Sequence, residues 1–302
     1  MCNPIRHHHV PQTYLKNFSF KKKEQSKIYT FDRNSKKIFE ANVLDVAVEK
    51  NFYTVKKCKD NYAWENFYAQ SIEPIMGNVI SKIIGMAENC LIQENTHILD
   101  IEVKSKLAII MVSQLLRGKQ GREFEQKIFD NVAPEIIHDV KSKFIGKGND
   151  ELDATLENYK ISEDIFKISA MQATLDIERL NRISSIIFNR CWVVYKIIGK
   201  REFVTSDNPV MFMNGSSLDV TPFHNGITDN KTIVFFPISP KLMIGVYAYD
   251  FYLGALNYCE GCLLFIDSEK DKHFIDNANQ KQSEQCHRQA FSHSQETLKG
   301  LF

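Results

Sequence analysis

The chain has 302 residues, 43% of them hydrophobic and 25% charged, and its formal net charge is +1. A chain of this length can bury one large core or two modest ones. Its near-neutral charge excludes a dedicated DNA-coating protein, which would be clearly basic. Residues 1–60 nevertheless carry 13 Lys and Arg against six Asp and Glu. This local excess predicts a basic surface that is either simply solvated or meets phosphate.

The composition also bears on the compartment. Seven cysteines, an odd number, are scattered along the chain, which favours a reducing compartment over a disulfide-stabilised fold. The longest apolar runs, such as residues 233–236 and 263–266, are far shorter than a membrane span. We therefore expect a cytoplasmic protein without a membrane partner.

In chain order, the first predicted element is a β-hairpin over residues 28–42, where alternating apolar residues flank a polar turn. Residues 49–55 predict a further strand. From about Tyr62 the apolar spacing becomes helical, and Pro74 within that pattern predicts a kink or a break. Further helices are predicted over residues 101–118, 122–144 and 163–188.

After residue 189 the pattern changes to short β-rich runs bounded by Gly, Pro, Asn and Asp, followed by a closing helix over residues 269–291. This order predicts an α+β fold: an N-terminal β-hairpin and a C-terminal antiparallel β segment around a central helical region. It predicts a single domain over residues 1–302, with an N-terminal part, a helical region and a β-rich part that ends in a helix. These parts cover residues 1–60, 61–190 and 191–302, and the later strands cover residues 191–198, 202–205, 210–213, 232–237, 242–249 and 262–266.

The N-terminal segment, residues 7–18, sets three imidazoles before a proline and a short apolar run. Histidine is the side chain whose charge changes near neutral pH, so His7 and His8 are candidate catalytic residues. Gln12 is a candidate substrate-binding residue. The alternative is that the segment pins the N-terminus onto the core.

The helix predicted over residues 101–118 carries an apolar stripe with 4,3 spacing that leads to Gln114 and Arg117. A buried Arg without a partner is costly, so we expect a carboxylate or an anionic ligand beside Arg117. Glu65 and Glu73, on the preceding helix, are candidate metal ligands or bases, and each is equally a candidate partner of Arg117. An exposed helix end is the other alternative.

Residues 203–210 form a predicted strand that ends in a polar turn containing Asp207 and Asn208. Asp and Asn before a proline suit a turn, but a carboxylate at a strand end can also hold a divalent metal against a phosphate. Cys259 and Cys262 form an isolated Cys-x-x-Cys whose surroundings do not favour zinc. The sequence lacks the glycine loops of nucleotide-binding folds, the zincin motif and the serine-hydrolase elbow.

Taken together, these motifs resemble a bacterial family known as domain of unknown function 4238. The resemblance rests on the His-His-x-Val-Pro-Gln-x-Tyr-Leu-x-x-Phe pattern of residues 7–18, on Glu65, on the Gln114–Arg117 pair, on residues 205–210 and on Pro-x-Ser-Pro at residues 237–240. It spans nearly the whole chain, with His9 where the family often has an aromatic residue. The resemblance implies a hydrolytic site and a role as an effector in bacterial defence.

Two functions follow as expectations. The first is a hydrolase acting on a phosphate-containing substrate, most simply a nuclease, that works with a partner protein of a defence system. In it His7, His8, Glu65 and Asp207 are catalytic, His8 and Asp207 hold a divalent metal such as Mg or Mn, and the residues that bind substrate are Gln12, Gln114, Arg117 and Asn208. The second is a binding or sensing module in which the same motifs are structural.

Overall fold

The computed structural model describes residues 6–55, 60, 62–147, 150–159, 163–220, 225–250, 252 and 257–302. The strands in this part of the chain are β1 (Arg6–His8), β2 (Phe20–Lys22), β3 (Gln25–Asp32), β4 (Lys37–Asn42), β5 (Val48–Lys50), β6 (Cys191–Ile198), β7 (Thr205–Ser206), β8 (Met211–Asn214), β9 (Thr232–Ser239), β10 (Leu242–Tyr247), β11 (Cys262–Asp267) and β12 (Gln289–Ser292). The α-helices are α1 (Gln12–Leu15), α2 (Ala63–Phe67), α3 (Glu73–Glu88), α4 (Ile101–Arg117), α5 (Lys119–Phe144), α6 (Asp150–Glu157), α7 (Glu163–Leu175), α8 (Ile177–Phe188), α9 (Lys272–Gln285) and α10 (Gln295–Lys299). The α+β prediction is confirmed.

The larger C-terminal sheet has the strand order β11-β6-β10-β9-β8. Every residue of β9 and β10 is buried, which explains why these strands read as continuous apolar runs rather than as an alternation. Three of its strand pairs are antiparallel, as predicted, whereas β11 runs parallel to β6. After β10 the chain crosses back to the free edge of β6. There it forms β11, which runs in the same direction as β6.

A second sheet joins the two ends of the chain. Its strand order is β2-β3-β12-β7, and β4 pairs with β3 as the predicted hairpin. The closing helix predicted over residues 269–291 is wrong beyond Gln285, because Gln289–Ser292 instead form β12 between β3 and β7. The strand predicted over residues 49–55 is limited to β5, which pairs with β1.

The helical region begins with α2, a π-helical turn at Tyr68–Ile72 and then α3, so the predicted break falls just before Pro74. The helix predicted over residues 163–188 is divided into α7 and α8, because the Asp176 side chain caps α8 by accepting from the Arg179 N–H. Helix α4 packs against α3, α5 and α8.

The largest cluster of buried apolar side chains draws on all three predicted parts of the chain. Tyr14 and Phe18 come from the N-terminal segment, Leu107 from α4, and Trp192 and Phe236 from the large sheet. The Tyr14 ring stacks on Phe236, and its hydroxyl hydrogen bonds with Thr205. The N-terminal segment is therefore anchored in the core, which places the histidines beside α4.

Candidate functional site

Two of the three N-terminal histidines are buried: His7 on β1 and His9 directly after it. His7 Nδ1 accepts a hydrogen bond from the Tyr53 backbone N–H at 2.9 Å, and the two rings stack. The His9 backbone carbonyl accepts a hydrogen bond from Gln114 Nε2 at 3.0 Å. His7 and Gln114, predicted as catalytic and substrate-binding residues, thus fasten the N-terminal strand to the core.

His8 lies between them and is half-buried. Its Nδ1 is 3.3 Å from Gln12 Nε2, so this ring nitrogen accepts from the amide and the proton of the neutral ring belongs on Nε2. Burial lowers the pKa of His8, while the carboxylate of Glu73 and the Leu44 backbone act in the opposite direction. His8 is therefore a neutral imidazole near pH 7.

As predicted, the buried face of α4 extends to its polar residues: Gln114 and Arg117 are both 1% exposed. Arg117 donates from Nε to the Tyr53 hydroxyl at 3.0 Å, and from Nη2 to the His8 carbonyl at 2.8 Å and to Glu73 Oε1 at 3.1 Å. Its guanidinium also lies over the Tyr68 ring. Its Nη1 is buried and has no hydrogen-bond partner among the described residues.

Glu73 is thus the carboxylate that pairs with Arg117. Glu65 lies near both. Burial raises the pKa of Glu65 to about 7, with Arg117 lowering it and the Glu73 charge raising it. Glu65 Oε2 is buried and finds no hydrogen-bond partner in the described part of the chain. Glu65 is therefore a carboxyl group poised to take or release a proton near neutral pH.

These groups form one polar cluster. Its guanidinium and phenol are buried, whereas His8, Glu65 and Glu73 are half-buried as whole residues, with His8 Nε2 and Glu65 Oε2 themselves buried. The Arg117 charge acts on the pKa values of both His8 and Glu65. We call this group the Arg117 cluster, and its members are His8, Tyr53, Glu65, Glu73 and Arg117.

Asp207 lies in a different network, at the end of β7. Its carboxylate accepts hydrogen bonds from three successive backbone N–H groups, those of His287, Arg288 and Gln289, at 2.7–2.9 Å. Burial raises the pKa of Asp207, and the three N–H groups oppose that effect. The carboxylate therefore fixes the segment that leads into β12.

Asn208 fixes the same corner of the fold. Its side-chain amide donates to Gln120 Oε1 on α5, and its backbone carbonyl accepts from Gln282 and Gln285 on α9. Asn208, predicted as a substrate-binding residue, thus ties the turn to two helices.

The two predicted metal ligands, His8 and Asp207, therefore belong to separate hydrogen-bond networks. Among the residues that the structure describes, no group of three or more His, Cys, Asp or Glu side chains is arranged to hold a metal ion. Cys259 and Cys262 are free thiols. Within the described ranges, His8 and Asp207 therefore do not come together as ligands of one metal ion.

An open cleft of about 520 Å³ lies next to the Arg117 cluster. Phe52 lines the cleft and the next residue, Tyr53, belongs to the cluster. The cleft and the cluster are therefore next to each other. The Arg122 guanidinium lies over the Phe52 ring and donates to the Phe52 carbonyl at 2.6 Å. The lining residues are Glu49, Lys50, Asn51, Phe52, Lys119, Arg122, Glu123, Gln126, Phe166, Lys167 and His287.

Two polar contacts join residues that line the cleft: a salt bridge between Lys119 and Glu49 at 2.6 Å, and a hydrogen bond between His287 Nε2 and Glu123 at 2.8 Å. Sequence reasoning missed these residues. The sequence held one signal for a cationic site: Lys119 and Arg122 follow Arg117 within five residues.

Lys21–Lys23, which belong to the basic excess predicted for residues 1–60, do not line this cleft. Lys21 and Lys22 lie on β2. Lys22 pairs with Glu40 on β4 at 2.6 Å.

Comparison with known proteins gives one match. The model of the family described as "Protein of unknown function (DUF4238)" matches residues 6–296, nearly the whole chain. Neither the curated proteins nor the solved structures compared with the chain match it. Within the described residues, no helix combines the length and apolarity needed to cross a membrane. On the extent of the family match, the chain belongs to the DUF4238 family.

Proposed function

We propose that the protein is a cytoplasmic hydrolase that acts on a phosphate-containing substrate, with nucleic acid as the favoured class and the Arg117 cluster as the reaction centre. One observation carries the proposal: Glu65 Oε2 and Arg117 Nη1 both lack a hydrogen-bond partner among the described residues, although both are buried in one cluster. Unsatisfied buried polar atoms are costly, so their persistence favours a ligand that completes them.

The chemistry follows from the charge states. Arg117 stays protonated and directs Nη1 toward a phosphate oxygen, which a guanidinium recognises well. Glu65, with a pKa of about 7, removes a proton from the attacking water. The water oxygen then forms a bond to phosphorus, and the bond to the leaving oxygen breaks. The leaving oxygen takes a proton from solvent, and Glu65 later returns its proton to solvent.

His8 is assigned a supporting role. Its neutral ring, held by Gln12, carries a proton on Nε2 that can donate to the same phosphate. A divalent metal such as Mg or Mn would act in addition to these side chains. The described residues offer no group of three ligands for it. The roles proposed here are therefore given to side chains alone.

The role in bacterial defence, with a partner protein, is proposed from the family resemblance. A second candidate function is a binding module in which the motifs are structural. It is favoured by Asp207 and Asn208, whose hydrogen bonds are satisfied within the fold. The two candidates differ in what removal of the Glu65 carboxylate does.

The test is hydrolysis of bis(4-nitrophenyl) phosphate and of fluorescently labelled single-stranded DNA and RNA, with and without Mg and Mn. We expect Glu65→Gln to lower kcat by about 10²–10⁴ without loss of thermal stability. Wild-type kcat should rise with pH through about 7, where Glu65 becomes ionised. The matched control is Glu88→Gln, an exposed Glu at the end of α3. Hydrolysis that is absent from the wild type, or unchanged in Glu65→Gln, would favour the binding module.

A further inference from the structure

The cleft beside the Arg117 cluster has a specific charge pattern. Four cationic side chains line it against two carboxylates, although the whole chain has a net charge of only +1. The cations come from separate elements: Lys50 from β5, Lys119 and Arg122 from the first turn of α5, and Lys167 from α7. The fold thus gathers positive charge in one concave place, which concentrates an anionic ligand there.

We propose that this cleft binds the phosphate backbone of a single-stranded nucleic acid. This inference rests on the proposed function, because it identifies the single strand as the substrate of the Arg117 cluster.

The size of the cleft favours a single strand. A volume of about 520 Å³ is that of a pocket for one small organic molecule, so it holds about one or two nucleotides and cannot take up a duplex. Phe166 lines the cleft, and the Arg122 guanidinium carbon lies over Phe52 at 4.1 Å from the ring centre. Aromatic rings and flat guanidinium groups are the surfaces on which unpaired bases stack.

The first turn of α5 adds to the attraction for phosphate. Helix α5 begins at Lys119, after Gly118, without a side-chain cap, and its first-turn residues Lys119 and Arg122 line the cleft. The amino end of a 26-residue helix carries partial positive charge, which reinforces the lysine and arginine side chains placed there.

The cleft lies next to the reaction centre in the fold. Phe52 and Tyr53 are adjacent, and the first lines the cleft while the second accepts a hydrogen bond from Arg117. Arg122 lies over both Phe52 and Trp64, the latter next to Glu65 in the chain. A strand held in the cleft thus lies beside the groups proposed to cut it.

The test is fluorescence anisotropy of a labelled dT12 oligonucleotide with the full chain at several salt concentrations. Contacts to two phosphates, which the one or two nucleotides in the cleft can supply, give a slope of about −1.4 in log Kobs against log salt, so affinity falls about 7-fold between 50 and 200 mM salt. The double variant Lys50→Gln/Lys167→Gln removes half of the four cations, so it should bind more weakly and lose only about 3-fold over the same range. Glu49→Gln should bind more tightly, since it removes a negative charge and releases Lys119.

The control for charge alone is Lys270→Gln, an exposed lysine after β11 that does not line the cleft. Equal effects of Lys270→Gln and of the cleft substitutions would overturn the proposal, and so would equally tight binding of a duplex of the same length. Binding of dT12 and its hydrolysis are measured separately on the wild type. Binding without hydrolysis therefore contradicts the proposed chemistry alone, whereas binding that ignores the cleft variants contradicts the cleft alone.

Discussion

Arg117 and Glu73 meet at 3.1 Å, and the same guanidinium nitrogen lies 2.8 Å from the His8 carbonyl. One side chain thus connects the end of α4 to the start of α3 and to the N-terminal strand. The arginine is 1% exposed, whereas the Glu73 side chain is 24% exposed. The pair therefore joins these elements, while the remaining nitrogen, Nη1, has no hydrogen-bond partner among the described residues.

Arg117→Met should lower the free energy of unfolding by about 3–5 kcal/mol, because it leaves Glu73 and the His8 carbonyl without their buried donor. Urea denaturation followed by circular dichroism measures the change. Arg182→Met, at an exposed position on α8, is the control and should change stability by less than about 0.5 kcal/mol. A loss below about 1 kcal/mol for Arg117→Met would show that the buried network contributes little to the fold.

Asp207→Asn should also destabilise the protein. At least one of the three backbone N–H groups then faces an amide nitrogen instead of an oxygen, which costs about 1–3 kcal/mol. Chemical denaturation of Asp207→Asn and of the exposed control Asp130→Asn provides the comparison. If Asp207→Asn retained full stability but lost hydrolysis, the carboxylate would be a catalytic group rather than a support for β12.

Gly121 tests the close approach of α4 and α5 that brings Arg117 near Arg122. A Cβ at position 121 would lie 2.5 Å from the Leu115 carbonyl oxygen, a backbone atom that cannot rotate away. Gly121→Ala should therefore cost about 1–3 kcal/mol. Gly85→Ala in α3 meets no atom within 4 Å and should stabilise by about 0.5–1 kcal/mol. Thermal unfolding of the two variants should shift in opposite directions, and a shift in the same direction would contradict the close contact.

The periodicity of the sequence was sufficient to place Arg117 on a buried face, because the spacing along one helix alone decides which side chains share that face. It did not identify the partner. Glu65 and Glu73 both remained candidates, since the choice depends on how α2 and α3 lie against α4. The role of Tyr53 was missed for the same reason: it meets Arg117 only through tertiary packing.

The end of the chain shows the limit of local patterns. Residues around Gln289 have the composition of a helix, yet they form β12 because β3 and β7 offer backbone partners on both sides and Asp207 holds the preceding amides. The cleft was missed because β5, α5, α7 and the segment after α9 each contribute one side of it. No continuous stretch of the sequence contains all the residues that line the cleft.

The last prediction concerns the pH dependence of stability, which reports on Glu65 without any substrate. Its pKa in the folded protein is about 7, above the ordinary value of 4.5. Between these values the folded state holds a proton that the unfolded state has released, so this group makes the fold less stable as the pH rises from about 4.5 to 7. Below about 4.5 the group is protonated in both states and has no such effect.

Glu65→Gln removes this titration. The free energy of unfolding of the variant, minus that of the wild type, should therefore increase from pH 5 to pH 8, as measured by urea denaturation at each pH. Glu88→Gln should show a constant difference, because an exposed carboxylate is solvated in both states. A constant difference for Glu65→Gln as well would mean that Glu65 is already ionised in the folded protein at pH 5. In that case Glu65 would be a fixed negative charge beside Arg117, and the proton transfer proposed for hydrolysis would have to be assigned to another group.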